Sequence, residues 1–138
     1  MRAVTAGYSG TPLPRKLGIK EGHRVGLLGA PEGFSETLGE LPDGASLARS
    51  LRAPLNVIVA FFTERSALER RLSGLIGLMD PAAGLWVAWP KRASGMDSDV
   101  TENVVRELGL AAGVVDNKVC AIDETWSALR LVIRLRDR

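Results

Sequence analysis

Residues 56–62, N-V-I-V-A-F-F, constrain the fold more than any other stretch. After Asn56 the run is β-branched and aromatic with no polar alternation, so a strand here has both faces buried. Such a strand belongs in the interior of a mostly parallel sheet, with helices covering each side. Residues 57–62 are also the longest uninterrupted apolar run, far too short to span a bilayer as a helix.

The flanking sequence fits that expectation. Residues 24–29 (R-V-G-L-L-G) read as a compact strand after a Lys20-Glu21-Gly22 turn, and residues 30–34 as a proline and glycine loop. Upstream, Thr11 and Pro12 read as the N-cap and first position of a short helix that Gly18 ends. Residues 35–41 fit a short helix interrupted near Gly39, and Pro42-Asp43-Gly44 is a turn. Residues 45–53 leave a second strand open.

Leu68, Leu72, Leu75, Ile76 and Met79 fall at helical spacing, with Ser66 and Glu69 as a capping box, Thr63 as an alternative cap, and Asp80-Pro81 as the stop. Residues 85–89 make a third strand that ends at Pro90, in which Trp86 and Trp89 must face opposite sides. Asp97, Ser98 and Asp99 sit where a helix N-terminus wants acceptors; Val100, Val104 and Leu108 form its inward stripe and Gly109 its stop. Residues 114–122 and 126–135 read as a hairpin around Asp123-Glu124-Thr125, with Leu129, Leu131, Ile133 and Leu135 on one face and the arginines on the other. The expected fold is α/β: a mostly parallel Rossmann-like sheet flanked by helices, with a C-terminal antiparallel hairpin, in a single domain over residues 1–138.

Composition narrows the activities. The 46% hydrophobic and 25% charged fractions describe an ordinary globular chain, and 18 basic against 16 acidic residues leave a net charge of only +2. The basic skew is local, four arginines against Asp137 over residues 130–138, read as the solvated face of a strand. Cys120 is the single cysteine, so an intrachain disulfide and a multi-thiolate zinc site are excluded. Inside a predicted strand it reads as a small inert core residue. No apolar run of signal-peptide length opens the sequence, and a reducing cytoplasm is the expected setting. His23 is the only histidine and lies before the first strand, which removes a histidine metal centre; with no G-x-S-x-G elbow, a serine-type triad is disfavoured.

In an open sheet of this kind ligands bind where the carboxyl ends of the strands converge. That edge gathers residues 30–34, 63–66 and 90–95. The candidate ligand-binding residues are Glu32, Gly33, Phe34, Thr63, Trp89, Lys91, Arg92 and Ser94, with Asn117 and Lys118 reaching toward Lys91 from the hairpin. Lys91, Arg92 and Ser94 place two cations and a hydroxyl ahead of a helix, a setting for an anion that Asp97 and Asp99 oppose. Glycines 26, 29 and 33 do not fit G-x-G-x-x-G, Pro31 lacks an N–H, and Glu32 is negative, so a dinucleotide is disfavoured. A methyl donor carries no phosphate, but no acidic residue closes a second strand to hold a ribose. No catalytic residue, metal ligand or cofactor is assigned.

Two resemblances follow from these residues. The strand after a lysine-glycine turn, its glycine-bearing loop and the terminal hairpin resemble the topology of class I methyltransferases. The segments G-Y-S-G-T-P-L, L-L-G-A-P-E-G-F, W-P-K-R-A-S-G and V-D-N-K-V-C-A-I-D-E-T-W-S resemble a bacterial family, common in actinobacteria, whose domain has no assigned function. That resemblance spans residues 7–134 and implies membership but no activity. The leading expectation is therefore a non-catalytic module that binds a small ligand or a protein partner through the loops near Trp89 to Ser94. A degenerate methyltransferase-like enzyme is the alternative. Weak nucleic-acid binding through the C-terminal arginines ranks last, because aromatics do not interleave with them. No membrane partner is expected, and the hairpin edge offers a route to a homodimer.

Overall fold

The computed structural model describes residues 10–138. Gly7, Tyr8 and Ser9 of the first motif lie outside the described residues. Helix α1 (Leu13–Lys16) leads into strand β1 (Arg24–Leu28), followed by α2 (Phe34–Leu38), β2 (Ser46–Leu47) and β3 (Leu55–Phe61). Then come α3 (Arg65–Ile76), β4 (Met79–Pro90), α4 (Glu102–Ala111), β5 (Val114–Ala121) and β6 (Trp126–Ile133).

The six strands form one sheet in the order β2-β1-β3-β4-β6-β5. The pairs β2·β1, β1·β3 and β3·β4 are parallel, and β6 runs antiparallel to both β4 and β5. The three apolar segments thus run side by side in one direction and their exits share an edge. The terminal hairpin is threaded inward: β6 occupies the slot beside β4 and leaves β5 at the rim.

Both faces are covered, as the doubly apolar β3 demands. On one face Ile58, Ala60, Leu85, Val87, Trp89, Leu129 and Leu131 pack against Leu68, Leu72 and Leu75 of α3 and Val105 of α4. On the other, Val57, Val59, Trp86, Ala88 and Ala128 meet Leu13 of α1, Leu17 just after it, and Phe34 and Leu38 of α2. Trp86 and Trp89 do fall on opposite faces. Trp86 is fully buried, and its indole Nε1 donates to the Leu17 carbonyl at 2.9 Å, which satisfies the one polar atom that burial strands. Asn56 opens β3 with a purpose: its Oδ1 accepts from Arg24 N at 2.8 Å, pinning β1 to β3 at their starts.

Several boundaries differ from the sequence expectation. The N-cap of α1 is Pro12, not Thr11. Residues 45–53 contain a strand, but only Ser46 and Leu47, paired with Arg24 and Val25. Asp80-Pro81 does not stop α3, which ends at Ile76; those residues lie inside β4. Its register on β3 jumps from Leu55↔Met79 to Val57↔Gly84, so the proline is absorbed in a bulge, where a missing ladder donor costs little. Gly109 does not end α4 but lies within it, because a Cβ there would sit 2.9 Å from Leu131 Cδ2; the stop is Gly113, at φ 96°. Thr101 caps that helix, its Oγ1 accepting from Val104 N at 3.2 Å. Val105 is its buried apolar residue, while Val104 and Leu108 are only partly covered. Leu135 leaves the hairpin for a short 3-10 turn and is 80% exposed.

Candidate functional site

The sheet order changes direction between β1 and β3, since the chain steps to one side for β2 and to the other for β3 and β4. Such a switch point opens a crevice at the strand exits. The exits are drawn tightly together here. Gly29 turns β1 away at φ 67°, and a Cβ on it would meet the Phe61 carbonyl oxygen at 2.9 Å, so only glycine fits. Below the loops three rings stack edge to face: Phe34 on Phe61 and Phe61 on Trp126, each pair 5.1 Å between centroids.

An open cleft of about 510 Å³, with Phe61 in its lining, lies between the β1 exit and α3. Leu28, Phe62 and Ala67 give it an apolar wall; Thr63 and Glu64 form the rim where β3 passes into α3. Arg70 and Arg71 close the far side, one turn along α3 from Ala67 on the same stripe. Neither arginine pairs with a carboxylate among the described residues. By contrast Arg65 holds Glu69 at 3.2 Å, and Arg106 holds Glu102 at 2.6 Å and Asp116 at 3.1 Å. Those two hydrogen bonds hold the Arg106 guanidinium above its ordinary range.

The loop after β4 is strapped to this cleft. Asp99 Oδ1 accepts from Arg65 N at 2.6 Å and Asp99 N donates to the Thr63 carbonyl at 3.2 Å. Asp99 therefore caps α3, a task expected of Ser66 or Thr63, instead of serving α4. Ser94 Oγ donates to the Lys91 carbonyl at 2.7 Å and accepts from Met96 N at 3.2 Å, which makes it the builder of the turn. Lys91 N donates to the Thr125 carbonyl at 2.7 Å, and Asp123 Oδ1 accepts from Thr125 N and Trp126 N, both at 2.8 Å.

Of the residues expected at the site, Thr63 lines the cleft. Glu32 and Gly33 are exposed on the β1–α2 loop, and the Gly33 carbonyl accepts from Glu36 N and Thr37 N in the first turn of α2. Phe34 and Trp89 are core, 3% and 8% exposed. Lys91, Arg92 and Ser94 lie at the β4 exit in and beside a 3-10 turn. Asn117 and Lys118 stand mid-strand at the bulge of β5, with β6 between them and β4, and Arg130 Nη1 donates to Asn117 Oδ1 at 3.4 Å. The cleft residues Leu28, Glu64, Arg70 and Arg71 were missed. For Arg70 and Arg71 the available signal is their spacing from Ala67 along α3.

The remaining ionisable groups lie elsewhere. His23 is at the opposite edge, its Nδ1 accepting from Lys20 N at 3.0 Å; partial burial, and then Lys20, hold its pKa below the ordinary value. Burial pushes the Cys120 thiol up, away from the thiolate a nucleophile needs. Among the C-terminal arginines, Arg130 is partly buried against Gly84, and Arg134 reaches Asp137 at 3.8 Å. No group of three metal-ligating side chains is gathered among the described residues, and no helix there is long and apolar enough to cross a membrane. A second hollow, about 640 Å³, lies at the opposite edge among Pro12, Arg15, Lys20, Glu40 and Asp43, away from the strand exits.

No protein-family model matches the chain, and no curated protein does. Solved structures do. A SAM-dependent methyltransferase from Aquifex aeolicus superposes with a TM-score of 0.58 at 17% identity, over 87% of each chain. Magnesium protoporphyrin IX methyltransferase from Synechocystis, solved with bound SAM, gives 0.59 at 10% identity over 88% of this chain and 74% of its own. Fibrillarin from Aeropyrum pernix, with natively bound S-adenosyl-L-methionine, gives 0.55 at 12% identity over 83% and 68%. At these identities the likeness is one of fold: a Rossmann-like sheet of methyltransferase topology.

Proposed function

We propose that this methyltransferase-like fold serves as a non-catalytic module that takes a small ligand in the cleft between β1 and α3. The observation that carries the reading is the position of the cleft: it opens at the switch point, where β1 and β3 part, with an apolar wall and a short polar rim. The loops after β3 and β4 are tied to each other there by Asp99, which fixes the β3–α3 side of the mouth. The side chains that would run a reaction are sparse. Thr63 and Glu64 are the polar rim, Cys120 is remote with a raised pKa, and His23 lies at the other edge.

The second reading is a degenerate methyltransferase-like enzyme, favoured by neighbours described with S-adenosylmethionine bound. The residues at the two donor-holding places do not fit that molecule. After β1 the loop carries Glu32, a negative charge, and Pro31, which has no N–H to offer. After β2 the chain continues Ala48, Arg49, Ser50, with no carboxylate to accept from a ribose. No transfer step is derived.

An NMR titration of the 15N-labelled chain with S-adenosylhomocysteine and with AMP separates the readings. Binding-induced shifts clustered at Gly29, Thr63 and Glu64, without methyl transfer from S-adenosylmethionine to any acceptor tried, are expected. Shifts confined to residues remote from those three remove the cleft; turnover removes the non-catalytic reading.

A further inference from the structure

We infer that the cleft selects an organic anion, a phosphate or carboxylate on a small apolar body, with Arg70 and Arg71 receiving the acidic group. The inference deepens the cleft reading above and rests on it. Two observations converge on the sign of the charge. Arg70 and Arg71 both line the cleft, at i+3 and i+4 from Ala67 on α3, so two positive charges border the same space. Neither has a carboxylate within 4.0 Å among the described residues, so their charge at the cleft is not offset by an ion pair.

The opposing charge is Glu64, the one carboxylate on the rim, against two arginines. A sulfonium donor would bring a further positive charge toward that pair. An anion meets the reverse situation, and the planar, two-pronged guanidinium suits carboxylate and phosphate oxygens alike. Leu28, Phe62 and Ala67 supply the contact for the body of the ligand, which distinguishes it from a bare ion.

The test is calorimetry on the full chain with phenyl phosphate, AMP, phenylacetate, adenosine, S-adenosylmethionine and inorganic phosphate. At least one organic anion is expected to bind about tenfold or more tighter than adenosine, S-adenosylmethionine and inorganic phosphate, and to weaken as salt rises. The phosphate and carboxylate arms tell which acid is preferred. R70Q/R71Q should cost about tenfold in that affinity while leaving the melting temperature unchanged, and Glu64→Gln should strengthen it. S-adenosylmethionine or adenosine binding tighter than every anion, with the effect lost in Leu28→Trp, overturns the anion inference and leaves the cleft standing. Anion binding untouched by R70Q/R71Q, or no better than inorganic phosphate, overturns it as well. If Leu28→Trp changes nothing for any ligand that binds, the cleft reading itself falls.

Discussion

The two wings of the sheet are built to different standards. On the β4 side, strands of 12, 8 and 8 residues pair over most of their length, and Trp86, Leu85, Val87, Leu129 and Leu131 are at most 1% exposed. On the β1 side, β1 has 5 residues, β2 has 2, and the helix between them is a 5-residue turn and a half. Side-chain packing holds the first wing. The second has a smaller packed core, Leu17, Val25, Phe34 and Leu38, behind far shorter strand pairing. The cleft opens at the boundary between them, with the firm β3–α3 unit as one wall and the lightly built β1 exit as the other. A binding surface needs one wall that can adapt and one that fixes position, and local stability is commonly lowest where ligands enter.

The comparison can be broken by measurement. Native-state hydrogen exchange should show the Val87 and Leu129 amides opening only with global unfolding. Leu47 should exchange faster by roughly two orders of magnitude or more; equal protection would abolish the distinction. Trp86→Ala removes a fully buried ring and its bond to Leu17, and should cost about 3–5 kcal/mol in chemical denaturation. Gly29→Ala forces a side chain into a positive-φ turn and against the Phe61 carbonyl, at about 1–3 kcal/mol, with shifts confined to the β1 wing and the cleft. A cost above that of Trp86→Ala would reverse the ranking of the wings. Asp99→Ala should cost about 0.5–2 kcal/mol and loosen the α3 N-terminus selectively, seen as raised exchange at Arg65.

The smallest effect concerns pH. His23 in the folded chain has its pKa below the ordinary 6.5, so the folded state prefers the neutral ring. Its contribution is complete above that value and is lost as pH falls through the lowered one. Stability should therefore dip slightly on acidification in that window, and His23→Gln should flatten the dip; an unchanged dip would remove His23 as its cause.

The same contrast explains what could be read from the residues. Strands at 24–28, 55–61 and the later part of β4, the Leu68-Leu72-Leu75 stripe and the closing hairpin were legible because each carries a long apolar period. The β2 strand was not: Ser46 and Leu47 have no period, and only the partner β1 makes them a strand. Pro81 misled because a proline reads as a stop, whereas the bulge of β4 hides its missing donor. Gly109 misled for a tertiary reason, the close approach of Leu131. At the site, the edge was legible from strand direction and Thr63 from its loop. Phe34 and Trp89 were drawn instead into the core, because large apolar side chains near a crevice gain more by burial beneath it than by lining it.

The inward threading of β6 has a consequence for synthesis. A nascent chain that has emerged only as far as residue 125 already contains β4, whose hydrogen-bonding partner on that side has yet to be made. Until translation delivers it, a long ribbon of Leu85, Trp86, Val87 and Trp89 stands open to any other strand it encounters on or near the ribosome. Premature termination in the hairpin would leave that ribbon permanently unmated, and the truncated product is one that a cell's chaperones and proteases would have to clear.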